Sequence, residues 1–227
     1  MTPPPEAKIR SPLSDGEPLL LASASPRRRE ILQQLGLPTL VSKIEVDEDV
    51  LADEAPDAYL VRIVAAKLSL AAGKAFSGGA AGKRGDTLQA VNIASAAGAV
   101  LVADTSVIDG AQILGKPASG ADAERIIAQL AGRTHEVWTR FAIGAAESPA
   151  RTLHEETVKT KVTFRALTSE QVRAYVASGE GRDKAGAYAV QGRGAGLVSH
   201  IEGSYSNVVG LPACEVMVAL ERLGLWI

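Results

Sequence analysis

The apolar positions of this chain fall into short continuous runs alternating with helical stripes, a pattern that predicts an α/β fold. Pro18-Leu19-Leu20-Leu21-Ala22 reads as a buried strand. Ser25 then suits a helix N-cap and Pro26 the first helical position. Ile31, Leu32 and Leu35 form that helix's apolar stripe, and Gly36 ends it. Leu40–Val46 is expected as a second strand. Leu60, Ile63, Val64, Leu68 and Ala71 keep helical spacing, so a second helix is expected from Asp57 to Lys74, with Lys67 on its apolar side or at its edge. Ala99-Val100-Leu101-Val102-Ala103 is a buried strand closing on Asp104-Thr105. Asp109-Gly110 between two apolar runs predicts a hairpin turn. Ser119 caps the next helix, which buries Ile126, Ile127 and Leu130. Strands follow near His135–Ile143 and Thr157–Ala166. In the latter, Val158, Thr160, Val162 and Phe164 share one face, and Lys159, Lys161 and Arg165 the other. Thr168-Ser169-Glu170-Gln171 is a capping box. Pro212–Leu223 is a closing helix.

The remaining stretches lack such periodicity. Met1–Glu17 is rich in proline and charge and reads as a flexible tail. Ser77–Gly98 is rich in Gly and Ala and reads as a flexible surface insert. Residues 18–227 then form a single domain, a size that needs no disulfide or metal staple. Composition narrows the function classes. The 227 residues carry 24 basic and 26 acidic side chains, a net charge of −2, which disfavours a nucleic-acid binder working through its field. No apolar run is long enough to span a membrane, and the N-terminus lacks a signal-peptide core. The single cysteine, Cys214, fits a reducing compartment, and a cytoplasmic location is expected. With one cysteine and three scattered histidines, any metal would be a hard ion held by carboxylates.

Candidate chemistry sits at four places. Ser23, Ser25, Arg27 and Arg28 lie where a strand enters a capped helix, and free N–H groups, hydroxyls and guanidinium forks there suit phosphate. A capped helix with solvated arginines is the plainer alternative. Asp104 lies at the expected carboxyl end of a buried strand. With Asp109-Gly110 as the turn, Ile108 pairs with Ala111, and Asp104 faces Gly115 beside Lys116. A carboxylate beside an ammonium is minimal equipment for attack on a phosphate anhydride, although a plain ion pair accounts for the two residues equally well. Asp47-Glu48-Asp49 is either a solvated loop or the source of a second carboxylate, and Lys67 either snorkels or meets a ligand. Two Gly-bearing loops remain. Asp183–Gly192 includes Gln191, whose amide can donate and accept at a base edge. Gly203–Pro212 leads into the last helix.

Together, Ser23-Ala24-Ser25-Pro26-Arg27-Arg28, the stretch from Ala103-Asp104-Thr105 to Leu114-Gly115-Lys116-Pro117, Asp183–Gly192 and Gly203–Pro212 resemble the Maf family of nucleoside triphosphate pyrophosphatases, from about Leu19 to the C-terminus. The resemblance implies an elongated two-lobed α/β fold, with a central mixed twisted sheet flanked by helices and related to the inosine triphosphate pyrophosphatases. It implies hydrolysis of a nucleoside triphosphate to the monophosphate and pyrophosphate with Mg²⁺ or Mn²⁺, and a homodimer. By position, Asp104 matches the family's proton acceptor. Glu48, Lys67 and Lys116 match other polar site positions, and Arg27, Thr105 and Gln191 match those tied to base specificity. Asp104 and Glu48 would hold the metal, while Lys67, Lys116, Arg27 and Arg28 offset phosphate charge. Tyr188-Ala189-Val190-Gln191-Gly192 is similar to the branch acting on dTTP and UTP rather than 7-methyl-GTP. Ser106, in place of an aliphatic residue, and Ala189-Val190, in place of Gly-Ile, depart from the pattern. A non-enzymatic regulator of septum formation is the rival class. It would not need Asp104 and Lys116 together.

Overall fold

The computed structural model describes residues 12–76, 97–146 and 148–227. The expected insert falls outside these except for Ala97 and Gly98, as does the expected tail up to residue 11. Part of that tail is docked: Leu13 is buried and its N–H donates to Leu225 O at 2.8 Å.

The elements run Leu19–Ala22 (β1), Pro26–Gln34 (α1), Thr39–Ser42 (β2), Pro56–Phe76 (α2), Ala99–Asp109 (β3), Gln112–Leu114 (β4), Gly120–Leu130 (α3), Thr134–Ala145 (β5), Ser148–Phe164 (β6), Ser169–Ala177 (α4), Val198–Glu202 (β7), Tyr205–Val209 (α5) and Ala213–Arg222 (α6). Among the described residues the strands form one mixed sheet in the order β2-β1-β3-β5-β6-β7, with β4 also on β3. The pairs β2–β1 and β1–β3 are parallel and the rest antiparallel. This is the expected mixed α/β architecture.

Side-chain alternation in β3 explains the layers. Val100 and Val102 point to the face covered by α2, packing with Leu20, Val64 and Leu68. Leu101 and Ala103 point to the other face, against Leu32 of α1 and Val216 and Leu220 of α6. Farther along that second face a separate cluster joins Val107 to Ile126, Ile127 and Leu130 of α3 and Val172 and Tyr175 of α4. The second face is thus covered by two groups of helices, one toward each end of β3.

The predicted caps of α3 and α4 are observed. Ser119 Oγ accepts from Asp122 N–H, and Thr168 and Gln171 satisfy each other reciprocally. Three expectations need correction. The second strand is only Thr39–Ser42, and the chain beyond it forms no regular element before α2. The apolar run ending at Asp104 is only half of an eleven-residue strand, so Asp104 lies mid-strand. The hairpin register also differs: Ile108 pairs with Ile113 and Asp109 with Gln112, leaving Gly110-Ala111 as the turn. Gly110 supplies the positive φ, +64°, that the turn needs. Asp109 stays in the strand because its carboxylate meets the Arg133 fork at 2.9 and 3.0 Å and Gln129 at 2.8 Å.

His135 sits in the second-face core between Phe164 and Tyr188. Its Nε2 is 2.8 Å from Tyr188 Oη, and its buried Nδ1 has no partner among the described residues. Burial pulls its pKa down to about 4, outweighing the charge of Asp109. The unfolded chain would bind a proton here near pH 6.5. Between those values the unfolded state holds more protons, so stability falls as pH drops from about 6.5 toward 4. Chemical denaturation at pH 7 and pH 5 is expected to show this loss in the parent and a smaller one in His135→Gln.

Candidate functional site

One edge of β3 is fully paired with β5, from Ala99 to Ile108. The opposite edge meets β1 only at Ala99–Leu101 and β4 only at Val107–Asp109. Between them, Val102–Ser106 has a strand neighbour on one side only. A cleft of about 860 Å³ opens at this gap, and it is lined by all ten predicted site residues: Ser23, Ser25, Arg27, Arg28, Glu48, Lys67, Asp104, Thr105, Lys116 and Gln191. Ligands in α/β sheets collect where strands end and neighbours diverge, which is the place β1 leaves β3.

Alternation sends Asp104 and Thr105 to opposite faces. Asp104 points toward α2, where Lys67 Nζ donates to its Oδ1 at 2.7 Å and to Glu48 Oε1 at 2.9 Å. Lys116 Nζ then donates to Glu48 Oε2 at 2.9 Å. The expected Asp104–Lys116 neighbour pair is therefore corrected: β4 ends at Leu114, before the pairing reaches Lys116, and Lys116 Nζ meets Glu48, which is linked to Asp104 through Lys67. The result is a chain of alternating charges, Asp104–Lys67–Glu48–Lys116. Its inner pair is nearly dry, at 9% and 8% side-chain exposure, and Lys116 at the outer end is 61% exposed. Burial pushes the Glu48 carboxyl up, but the Lys67 charge and hydrogen bonds from Lys116 and Lys67 outweigh it and hold it down at about 2.

Thr105 points to the other face. Its Oγ1 lies 2.9 Å from Thr139 Oγ1 and accepts from Arg28 Nη2 at 3.1 Å. Arg28 is buried rather than solvated. Its Nε donates to Gly210 O at 2.8 Å and Nη1 to Ser23 Oγ at 3.2 Å. Burial lowers its pKa, partly countered by Asp104 and Glu48, and a guanidinium stays charged regardless. Arg28 thus braces the strand–helix loop to the turn before α6, and Arg27 is the arginine of this run left half-exposed at the cleft. Ser25 occupies the N-cap of α1 without a side-chain cap bond, and Ser23 Oγ accepts from Ser25 N–H instead, at 3.1 Å. Gln191 is exposed at the far wall, beside buried Ala189 and Val190.

Several supporting residues escaped the sequence reading. Tyr59 Oη donates to Glu48 O at 3.1 Å, and Arg62 Nη2 to Asp49 O at 2.9 Å, so the first turns of α2 hold the acidic loop. Tyr59 and Arg62 stand three apart on the helix, the spacing of a shared face, which was the available signal. Asn207 is fully buried and donates to Val137 O and Thr160 Oγ1, both at 2.9 Å.

Glu48 and Asp104 converge on one ammonium, and no group of three or more metal-ligating side chains gathers among the described residues. Two carboxylates suit a hard ion that completes its shell with water and substrate phosphate. The donor set therefore fits Mg²⁺ or Mn²⁺ arriving with a triphosphate, rather than an ion held by protein alone. Among the described residues no helix is long and apolar enough to cross a membrane.

A family model described as Maf-like protein matches residues 18–223. A dTTP/UTP pyrophosphatase of Myxococcus xanthus (strain DK1622) is 44% identical over 209 residues, covering 91% of this chain and 93% of its own. One of Moorella thermoacetica (strain ATCC 39073 / JCM 9320) is 46% identical over 211 residues, covering 92% and 97%. A solved nucleoside-triphosphatase / dITP/XTP pyrophosphatase from Mycobacterium abscessus covers 66% of this chain and 75% of its own at 14% identity and a TM-score of 0.33, too slight a likeness to carry weight.

The charge chain makes two lysines behave differently. Lys67→Met leaves the Asp104 carboxylate buried without its cation, a loss that typically costs about 3–5 kcal/mol. Lys116→Ala breaks a solvated pair, worth about 0–1 kcal/mol. Thermal unfolding at pH 7 is expected to show a large drop for the first variant and almost none for the second. Equal melting temperatures would mean the inner pair is not the dry contact described.

Proposed function

We propose, from the premise that this chain belongs to the Maf family, that it is a nucleoside triphosphate pyrophosphatase that hydrolyses dTTP and UTP to the monophosphate and pyrophosphate. The observation that carries this reading is the alternating charge chain laid along an open cleft, with a buried carboxylate at one end and an exposed ammonium at the other. A bare ion pair would need neither the cleft nor the half-exposed Glu48 between two lysines. A septum-formation role without catalysis gives no reason for either.

In this reading, Asp104 accepts a proton from a water molecule. The water oxygen bonds to the α-phosphorus as the bond from that phosphorus to the bridging oxygen breaks, and pyrophosphate leaves with the electron pair. A divalent ion bound with the substrate would be held by Asp104 and Glu48 and would supply Lewis-acid neutralisation of phosphate charge. Lys116 and Arg27, at the wet side of the cleft, meet the phosphates. Lys67, donating to Asp104 Oδ1 at 2.7 Å, keeps that carboxylate aimed. Arg28, spent largely on Gly210, Ser23 and Thr105, shapes the phosphate loop and adds long-range positive charge. Gln191 offers one donor and one acceptor to the base edge, which matches the paired acceptor and donor shared by thymine and uracil.

Pyrophosphate release across a panel of triphosphates with Mg²⁺ or Mn²⁺ tests the whole reading, with dTTP and UTP expected ahead of purine triphosphates. Faster turnover of 7-methyl-GTP would overturn it. Asp104→Asn keeps shape but loses the proton acceptor, so a fall of at least about a hundredfold in turnover is expected. Near-normal hydrolysis of dTTP by that folded variant would remove Asp104 from the chemistry. Gln191→Ala is expected to lower kcat/KM for dTTP and UTP by about tenfold while other triphosphates change little, as for one lost polar contact.

A further inference from the structure

The main chain that presents Gln191 belongs to no strand or long helix. It runs from Tyr188 through Ala189 and Val190 into the 3-10 turn Gly192–Gly196. An amide on such a segment discriminates bases only if the backbone is fixed, because selectivity needs the wrong base to leave a group unpaired rather than let it swing aside. Gln191 is the N-cap of the turn and forms no side-chain cap bond of its own. The fixing comes from elsewhere.

Two side chains outside the cleft lining supply it. Tyr175, buried in α4, accepts the Ala189 N–H at its Oη at 3.1 Å. The same hydroxyl donates to Glu180 Oε1 at 3.2 Å. Glu180 then accepts Gly194 N–H at Oε1 and Arg193 N–H at Oε2, both at 2.8 Å. The main chain is therefore gripped two residues before Gln191 and two and three residues after it, through one connected network. The glycines fit that grip. A Cβ on Gly192, whose φ is +66°, would stand 2.4 Å from Glu180 Oε2, and one on Gly194 would stand 1.9 Å from Ala189 O. Burial and the Glu180 charge raise the Tyr175 pKa to about 12, although the Ala189 hydrogen bond opposes them. The hydroxyl thus keeps the proton it donates to Glu180.

We propose that Tyr175 and Glu180 are positioning residues for base selection: they hold the backbone on both sides of Gln191 so that its amide meets the base edge at a fixed place. The proposal rests on the reading of Gln191 as the base-contacting residue. A carboxylate side chain suits this place, because its two oxygens accept several N–H donors at once. Neither residue touches the phosphates, so neither should govern proton transfer at Asp104.

Two measurements test it on the full chain. Native-state amide exchange at Ala189, Arg193 and Gly194 is expected to quicken by about tenfold in Glu180→Ala, and at Ala189 in Tyr175→Phe. Steady-state kinetics then read selectivity as the ratio of kcat/KM for dTTP to that for a purine triphosphate. This ratio is expected to fall by about tenfold in Glu180→Ala, and the double variant Glu180→Ala/Gln191→Ala should be no less selective than Gln191→Ala alone. Tyr175→Phe keeps the buried ring, so it carries the test if Glu180→Ala does not fold. Unchanged exchange in folded variants overturns the grip. A retained ratio in a folded variant, or losses that multiply in the double variant, overturns its role in selection. A parent enzyme with no pyrimidine preference would instead sink the functional reading itself, and base selection by this network with it.

Discussion

The site depends on one constraint in the sheet: β3 has more neighbours than one of its edges can seat continuously. Its β5 edge is paired without a break from Ala99 to Ile108, while the other edge is shared by β1 and β4, which touch opposite ends of it. The middle of β3 is held rigidly from one side and open from the other. A strand in that position can aim side chains into a cleft without losing its own conformation. The pleat then divides the work, sending Asp104 to the α2 face and Thr105 to the face where Arg28 and Thr139 wait.

Electrostatics across the gap explain why a carboxylate can stay dry there. Asp104 and Lys67 are a buried pair, and such pairs seldom add much stability over an apolar contact. Their value lies in what they fix. Lys67 is anchored by α2, whose Leu60, Ile63, Val64 and Leu68 are locked in the core. Asp104 is anchored by β3. The pair thus ties the helix to the open strand at the cleft, and Glu48 extends the alternation toward solvent. Glu48 is itself held by α2 through Tyr59, so one helix positions the lysine and the loop that faces it.

Much of this was legible in the sequence. The capping residues of α3 and α4, the strand beginning at Leu19 and the four loop motifs rest on local chemistry, and local chemistry survives into the fold. The lysine on the apolar face of α2 was visible as an anomaly, though not its two partners. What failed depended on distant contacts. An Asp-Gly pair suits a hairpin turn, but only the glycine needs the special backbone. Asp109 pairs with Gln112 inside the strand, where its carboxylate meets Arg133, 24 residues away, and Lys116 meets Glu48, 68 residues away, rather than Asp104. In sequence Arg28 reads as a phosphate-facing or solvated guanidinium, and its burial is hidden because its carbonyl partner, Gly210, lies 182 residues on. Tyr175 and Glu180 carried no signal at all, since an aromatic and a carboxylate near a helix end are ordinary.

The two ends of the cleft are therefore built by different physics. At the end where the proposed function seats the phosphates, strands, a helix and a dry ion pair provide rigidity, and the protein offers charges whose attraction falls off slowly with distance. Small errors in position matter little there, and exposed Lys116 and half-exposed Arg27 can adjust. At the end where the proposed function seats the base, the contact offered by Gln191 is a neutral hydrogen bond, which weakens steeply with angle and distance. That end is made of loop, because glycines at 192 and 194 must let the chain fold against Glu180 and Ala189. A loop with that freedom needs an external brace, and a carboxylate gathering backbone N–H groups is the strongest neutral-backbone brace a single side chain provides. Selectivity in such an arrangement is set by how firmly the loop is held as much as by the residue at its tip.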